Sequence, residues 1–207
     1  MNGKLNKRIM ELPECESLFV FPSCADESAA VGPAYEGYAR SQLELGITPK
    51  LPGIEAIYLG PAYSESKVVE ILRRYRENKG IHFENVGEID ARLAQLLEKD
   101  KIVARFEEPS EFGARALGNR SILTSPSHVS NIKKINDMIK MREFWMPLAP
   151  STLSEHESDY VVNPKRVRAP YMILNFYTTE RRDEIGAAIH PADFTVRPQV
   201  VFKEHDP

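Results

Sequence analysis

The sequence predicts an α+β fold. Three observations carry this: short apolar runs that stop at proline or glycine, helical segments interleaved with them at irregular intervals, and 15 prolines, which impose turns that a regular βαβ repeat does not need. With 42% hydrophobic residues over 207 positions, the chain can bury one main core plus an accessory segment.

Taken in order, residues 17–22 (SLFVFP) read as a buried strand that ends at proline. In 26–40 the small residues Ala29, Ala30, Gly32, Ala34 and Gly37 recur at helical spacing, which predicts a helix packed closely on a neighbour. Proline and glycine punctuate 48–61 (TPKLPGIEAIYLGP) as they do a linker. Ser64 caps a helix running through Arg76, and 89–99 forms a second, with Ile89, Leu93, Leu96 and Leu97 on one face. Residues 102–106 and 122–124 are strand candidates on either side of the loop 111–121, and 129–139 is amphipathic. Runs at 160–162, 171–176 and 199–202 complete the strands, which are expected to join a mixed sheet.

This order implies three parts: 1–47 as the last strand and helix of a preceding domain, 48–63 as a linker, and 64–207 as one α+β unit. The chain opens at a strand and stops at Asp206 and Pro207 directly after another, so both ends read as cuts in a longer protein.

The net charge of −3 offers no broad attraction for a phosphate backbone or an anionic membrane, so any anion site must be local. Cys15 and Cys24 are too few for a disulfide framework or a thiolate zinc site, which points to a reducing compartment. No apolar run approaches the roughly 20 residues of a membrane span, and the start MNGKLNKRIM lacks a signal-peptide apolar region. The expectation is a soluble, cytoplasmic protein with no nucleic-acid or membrane partner; a homo-oligomer is left open.

The stretch EFGARALGNRS (111–121) is the most informative. Gly113 and Gly118 permit unusual backbone angles and close approach of a ligand, while Arg115 and Arg120 carry planar forks suited to bidentate phosphate contact. Backbone amides around Gly118, Asn119 and Arg120 can add an anion-binding concavity. The bland alternative is a surface turn whose arginines pair with Glu107, Glu108 and Glu111. In 136–151 (NDMIKMREFWMPLAPS), Lys140 and Arg142 end a helix, and Trp145 to Pro150 form a proline-fixed apolar wall that can support an adenine-like ring; a plain helix end leading into core is the alternative. In 190–201, His190, Asp193, Thr195 and Arg197 crowd the entrance to an apolar strand, and alternation puts Thr195 and Arg197 on one face, unless this is simply a polar edge strand. His82, His128, His156 and His205 read as surface residues, and no histidine pair has zinc-site spacing. Asp26, just after the first strand, suits a metal or phosphate role and equally an N-cap.

Together EFGARALGNRS, IKMREFWMPLAPS (139–151) and the segment from His190 to Gln199 resemble the carbamoyltransferases of antibiotic and nodulation-factor biosynthesis, and FVFPSCADESAAVGPA (19–34) resembles the close of that family's first domain. The resemblance implies an actin-like ATPase-type domain ending near residue 47, followed by a domain like the threonylcarbamoyl-adenylate synthases. It implies activation of carbamoyl phosphate by ATP with Mg2+ to carbamoyl-adenylate and pyrophosphate, then transfer to a hydroxyl-bearing small-molecule acceptor. Arg115, Lys140 and Arg197 would contact the phosphates and the carbamoyl group, with Arg120, Gly118, Asn119, Arg142, Ser151, His190 and Thr195 as further substrate- and nucleotide-binding residues. Asp26 matches one ligand of a divalent metal, Fe2+, held in the full-length enzyme only. Met146 stands where the family often carries arginine, and the family's asparagine-rich segment is not reached. Two other readings stay open: an RNA-binding module, against which the charge speaks, and a structural fragment without catalysis.

Overall fold

The computed structural model describes residues 2–54, 56–75, 81–107 and 109–203; Arg76, Glu108 and His205 therefore lie outside the described residues. The first helix, α1 (Gly3–Met10), has no counterpart in the sequence reading. Asn2 caps it by accepting from the Leu5 amide at 3.1 Å. Its tertiary ties are distant in sequence: Met10 enters the core, Asn6 Nδ2 donates to Ile173 O at 2.9 Å, and Lys165 Nζ donates to the carbonyls of Leu12 and Cys15 at 2.6 and 2.7 Å.

Residues 17–22 hold no assigned strand and join no ladder among the described residues, which corrects the strand expected there. The alternation itself holds, because Leu18 and Val20 pack against the core while Phe19 is exposed. Alternation reports burial of one face and is silent on whether a hydrogen-bonding edge lies alongside. A 3-10 turn (Asp26–Ala30) then leads into α2 (Val31–Glu44). The close packing expected of its small residues is not found: no residue of α2 is buried, and a Cβ at Gly32 or Gly37 would meet open space.

Residues 48–54 and 56–63 hold no helix or strand, yet the second half is stapled to the body. Ile57 is 2% exposed, its carbonyl accepts from the Phe112 amide at 2.6 Å, and the Gly60 amide donates to Ser110 O at 2.9 Å. Helix α3 (Glu65–Tyr75) starts at Ser64, whose hydroxyl accepts from the Lys67 amide at 3.3 Å, and α4 (Ile89–Glu98) comes next.

The class is α+β, but the strands do not join one mixed sheet. β1 (Val103–Phe106) and β2 (Arg120–Leu123) pair antiparallel, closing the loop between them. After α5 (Ser130–Ile135) and a π-turn (Asn136–Lys140), β3 (Ser151–Leu153) begins. α6 (Glu157–Tyr160), β4 (Val161–Val162), β5 (Phe176–Thr178), a 3-10 segment (Glu180–Ala188), β6 (Thr195–Val196) and β7 (Gln199–Val201) complete the chain. Of the run expected at 171–176, only Phe176 is in a strand. β4, β5 and β6 form an antiparallel sheet, whereas β7 pairs parallel with β3. Pro198, fully buried between β6 and β7, is the physical reason: it has no N–H to give a ladder and restricts Arg197 before it, so the chain turns from one sheet into the other.

The core joins these pieces through Met10, Val161, Ile173, Leu174, Phe176, Ile185, Val196 and Val200. Phe176, 1% exposed, is its largest side chain, and truncating such a residue costs about 3–5 kcal/mol. Among the described residues no helix is long and apolar enough to cross a membrane.

Candidate anion-binding site

The loop between β1 and β2 folds around a carboxylate. One oxygen of Glu111 accepts from the amides of Leu117, Asn119 and Arg120 at 2.7, 2.9 and 3.1 Å. The Gly118 amide donates instead to Ser121 Oγ at 2.9 Å. The expectation that the amides around Gly118, Asn119 and Arg120 cradle an external anion is thereby corrected: the concavity exists, and the chain's own Glu111 fills it. Partial burial works to raise the Glu111 pKa, but the backbone amides together outweigh it and hold the carboxyl below the usual range. Gly113 and Gly118 do supply the backbone freedom the sequence indicated, at φ +103 and +116. Gly113 also permits a close approach, since a Cβ there would sit 2.9 Å from that of buried Ser23.

Leu117, 2% exposed, anchors the loop to the body. Its carbonyl accepts from Tyr58 Oη at 2.8 Å and from Gln199 Nε2 at 2.7 Å. Gln199 is the register partner of Ser151, whose hydroxyl donates to Gln199 Oε1 at 3.0 Å. Ser151 thus acts through Gln199 on the arginine loop. Sequence reasoning does not single out Gln199 as a site residue; the available signal is a polar side chain opening an otherwise apolar run.

Arg197 sits at the Pro198 corner, beyond the end of β6. This corrects the shared strand face drawn for Thr195 and Arg197. Thr195 is buried and committed to structure: its hydroxyl donates to Asp193 Oδ1 at 2.8 Å, and Asn175 Nδ2 donates to it at 3.3 Å. His190 Nδ1 lies 3.2 Å from Asp193 Oδ1, and its ring meets Trp145 edge-on at 6.4 Å between centroids. The third arginine is Arg142. The π-turn ends at Met141 in the left-handed region (φ 49), and buried Asn136 organises the residues just beyond it. Asn136 Oδ1 accepts from Arg142 Nε at 2.5 Å, while its Nδ2 donates to the carbonyls of Glu143 and Met146 at 2.9 Å. No local sequence signal marks Asn136 for this role.

Arg115, Arg142 and Arg197 come together. Burial, and then the charges of Arg115 and Arg142, push the Arg197 pKa down; burial does the same to Arg142. None of the three has a carboxylate partner among the described residues, and Arg115 Nε is buried without a hydrogen bond. Three half-buried like charges thus stand near one another with no carboxylate counter-ion among the described residues, an arrangement that costs stability unless an anion joins it. Phe144 and Trp145, which follow Arg142 in the chain, contribute with Ile132, Ile189, Pro191 and Phe194 to a groove of about 680 Å³ whose lining includes none of the three arginines.

The other expected residues are placed elsewhere. Lys140 is exposed at the end of the π-turn and has no hydrogen-bond acceptor or carboxylate partner among the described residues. Arg120 lies over the Phe106 ring, 3.5 Å from its centroid. Asn119 is fully buried, donating to Pro109 O at 2.7 Å. Asp26 is exposed in the first turn of its 3-10 helix, where Ala25 rather than Asp26 is the N-cap. Among the described residues no group of three His, Cys, Asp or Glu side chains can hold a metal ion. His82, His128 and His156 are exposed, as expected.

Residues 94–207 match the family described as Carbamoyltransferase C-terminus. The chain is 33% identical over 209 residues to an uncharacterized protein of Methanocaldococcus jannaschii, an alignment covering 100% of this chain and 33% of that one. It is 30% identical to nodulation protein NolNO of Sinorhizobium fredii, over 98% of this chain and 29% of the relative. It is 29% identical to nodulation protein NolO of Bradyrhizobium diazoefficiens, over 100% of this chain and 37% of the relative. The chain spans about a third of the length of these curated relatives.

Proposed function

Because the chain belongs to the carbamoyltransferase family through its C-terminal region, we propose that Arg115, Arg142 and Arg197 bind the phosphates of ATP and carbamoyl phosphate in a longer carbamoyltransferase. The observation that carries this is the gathering of three guanidiniums without a carboxylate among the described residues. Adenylation moves negative charge onto departing phosphate oxygens, and preorganised cations stabilise that charge without reorganising at the moment of reaction. Each guanidinium offers a fork of donors to those oxygens. The groove at Trp145 and Phe144 is suited to take the base ring, and Mg2+ would accompany the nucleotide as part of the substrate.

In this reading the products of activation are carbamoyl-adenylate and pyrophosphate, and the carbamoyl group passes to a hydroxyl of a small-molecule acceptor. The fold reading extends accordingly: 64–207 as a unit like the threonylcarbamoyl-adenylate synthases, and 1–47 as the end of an actin-like domain. The chain alone is expected to bind polyanions without turnover. Calorimetric titration of the intact protein with ATP and with carbamoyl phosphate tests the reading. Arg115→Ala, Arg142→Ala and Arg197→Ala should each weaken binding by about 10- to 100-fold, the range for losing a charged hydrogen bond. Unchanged affinity in all three would sink it.

A further inference from the structure

The carboxylate inside the arginine loop has the wrong sign for a residue bordering a polyanion site. Its charge repels what the three arginines attract. Its geometry nevertheless spans both limbs of the loop: the side chain leaves at residue 111 and closes on the amides of Leu117, Asn119 and Arg120, with Arg115 in the enclosed arc. Arg115 depends on that arc for its position, because its Nε has no hydrogen bond among the described residues and no carboxylate holds its guanidinium there. The arc also contains Gly113 and borders Gly118, both at positive φ, and between the Phe112 amide held by Ile57 O and the Leu117 carbonyl held by Tyr58 and Gln199 the Glu111 carboxylate closes it.

We propose that Glu111 is a positioning residue for polyanion binding: it fills the amide concavity of its own loop and thereby fixes the backbone that presents Arg115 to Arg142 and Arg197. This rests on the phosphate-binding reading above and assigns that site a determinant that no contact with ligand would reveal. It also explains why the concavity is closed to outside anions, since an internal carboxylate competes at far higher effective concentration than any dissolved ligand.

The test compares Glu111→Ala, Glu111→Gln and Glu111→Asp with Arg142→Ala in the intact protein, by titration with ATP and with carbamoyl phosphate and by amide exchange across 111–120. Glutamine keeps an acceptor oxygen at full reach, so Glu111→Gln should stay within about 3-fold of the parent affinity. Glu111→Asp keeps the charge but draws the oxygen back, and Glu111→Ala removes it; both should bind about 10-fold or more weakly, as misplacement by about an ångström costs elsewhere, with faster exchange at Leu117, Asn119 and Arg120. Should Glu111→Ala fail to fold, the aspartate variant carries the comparison. Tighter binding by both Glu111→Gln and Glu111→Ala would show a merely repulsive charge and overturn the proposal, as would unchanged affinity in Glu111→Asp. If the parent binds neither ligand, or Arg142→Ala binds as the parent does, the phosphate-binding reading itself fails and the Glu111 assignment falls with it.

Discussion

The side-chain amide of Gln199 donates to the carbonyl of Leu117 at 2.7 Å, joining positions 82 residues apart. Arg115 stands two residues before Leu117, and Arg197 two before Gln199. This buried hydrogen bond therefore ties the segment that carries Arg115 to the one that carries Arg197. Replacing Gln199 by leucine keeps the bulk and removes the donor. It should cost about 1–3 kcal/mol in chemical denaturation, the penalty for depriving buried groups of partners, and also weaken ATP binding. A loss of stability with unchanged affinity would show that this tie does not position the arginines.

Like charges held together without a counter-ion oppose folding in the free protein. Arg197→Met should leave stability in chloride unchanged or raised, while removing the extra stabilisation that added phosphate or ATP gives the parent. Thermal unfolding at matched ionic strength in chloride and in phosphate is the measurement. A large loss of stability in chloride would mean that Arg197 is structural.

Asn136 is fully buried and serves Arg142 and two backbone carbonyls. Asn136→Ala leaves those groups unpaired and should cost about 2–3 kcal/mol, with Arg142 released from its orientation. Denaturation combined with ATP titration separates this from Arg142→Ala, which should lose affinity with a smaller loss of stability.

Acid stability should carry the signature of Asp193. Burial alone would raise its pKa, but Lys4, Thr195 and His190 together outweigh it and hold the carboxyl at about 2. The unfolded chain titrates near the ordinary value of about 3.9. The folded pKa is the lower one, so this contribution is complete above the unfolded value and lost as pH falls from about 4 toward 2. Urea midpoints measured between pH 5 and pH 2 should converge for the parent and Asp193→Asn at the acid end. Parallel curves would show that the carboxylate is not specifically stabilised.

The sequence marked the segments of the candidate site and missed the hydrogen bonds that organise them. Glycines at 113 and 118 beside Arg115 marked the 111–121 loop as a backbone of unusual angles, which its positive φ values bear out, and Arg197 drew attention as a lone cation entering an apolar strand. Glu111 was not: a glutamate beside arginines reads as a counter-charge, and only the closed loop shows it accepting from amides. Lys140 and Arg142 read alike as the end of a helix, but the π-turn and left-handed Met141 break the 3.6-residue period between them, which spacing alone does not announce. The helix at 31–44 was legible as an element and illegible in its packing, since spacing of small residues says that a neighbour can approach and not that one does.

The Pro198 corner sets a rule for chain length. Surface connections usually accept an added residue at little cost, but here the side-chain phase of β7 is fixed by pairing with β3, and that of β6 by pairing with β5. One residue inserted between Val196 and Pro198 would leave both sheets in register and still carry the guanidinium out of the cluster, because the added length must be absorbed at the corner where Arg197 sits. The count of residues across the corner is thus as specific as their identity, and homologues that conserve the arginine should also conserve its distance from the proline and glutamine after it.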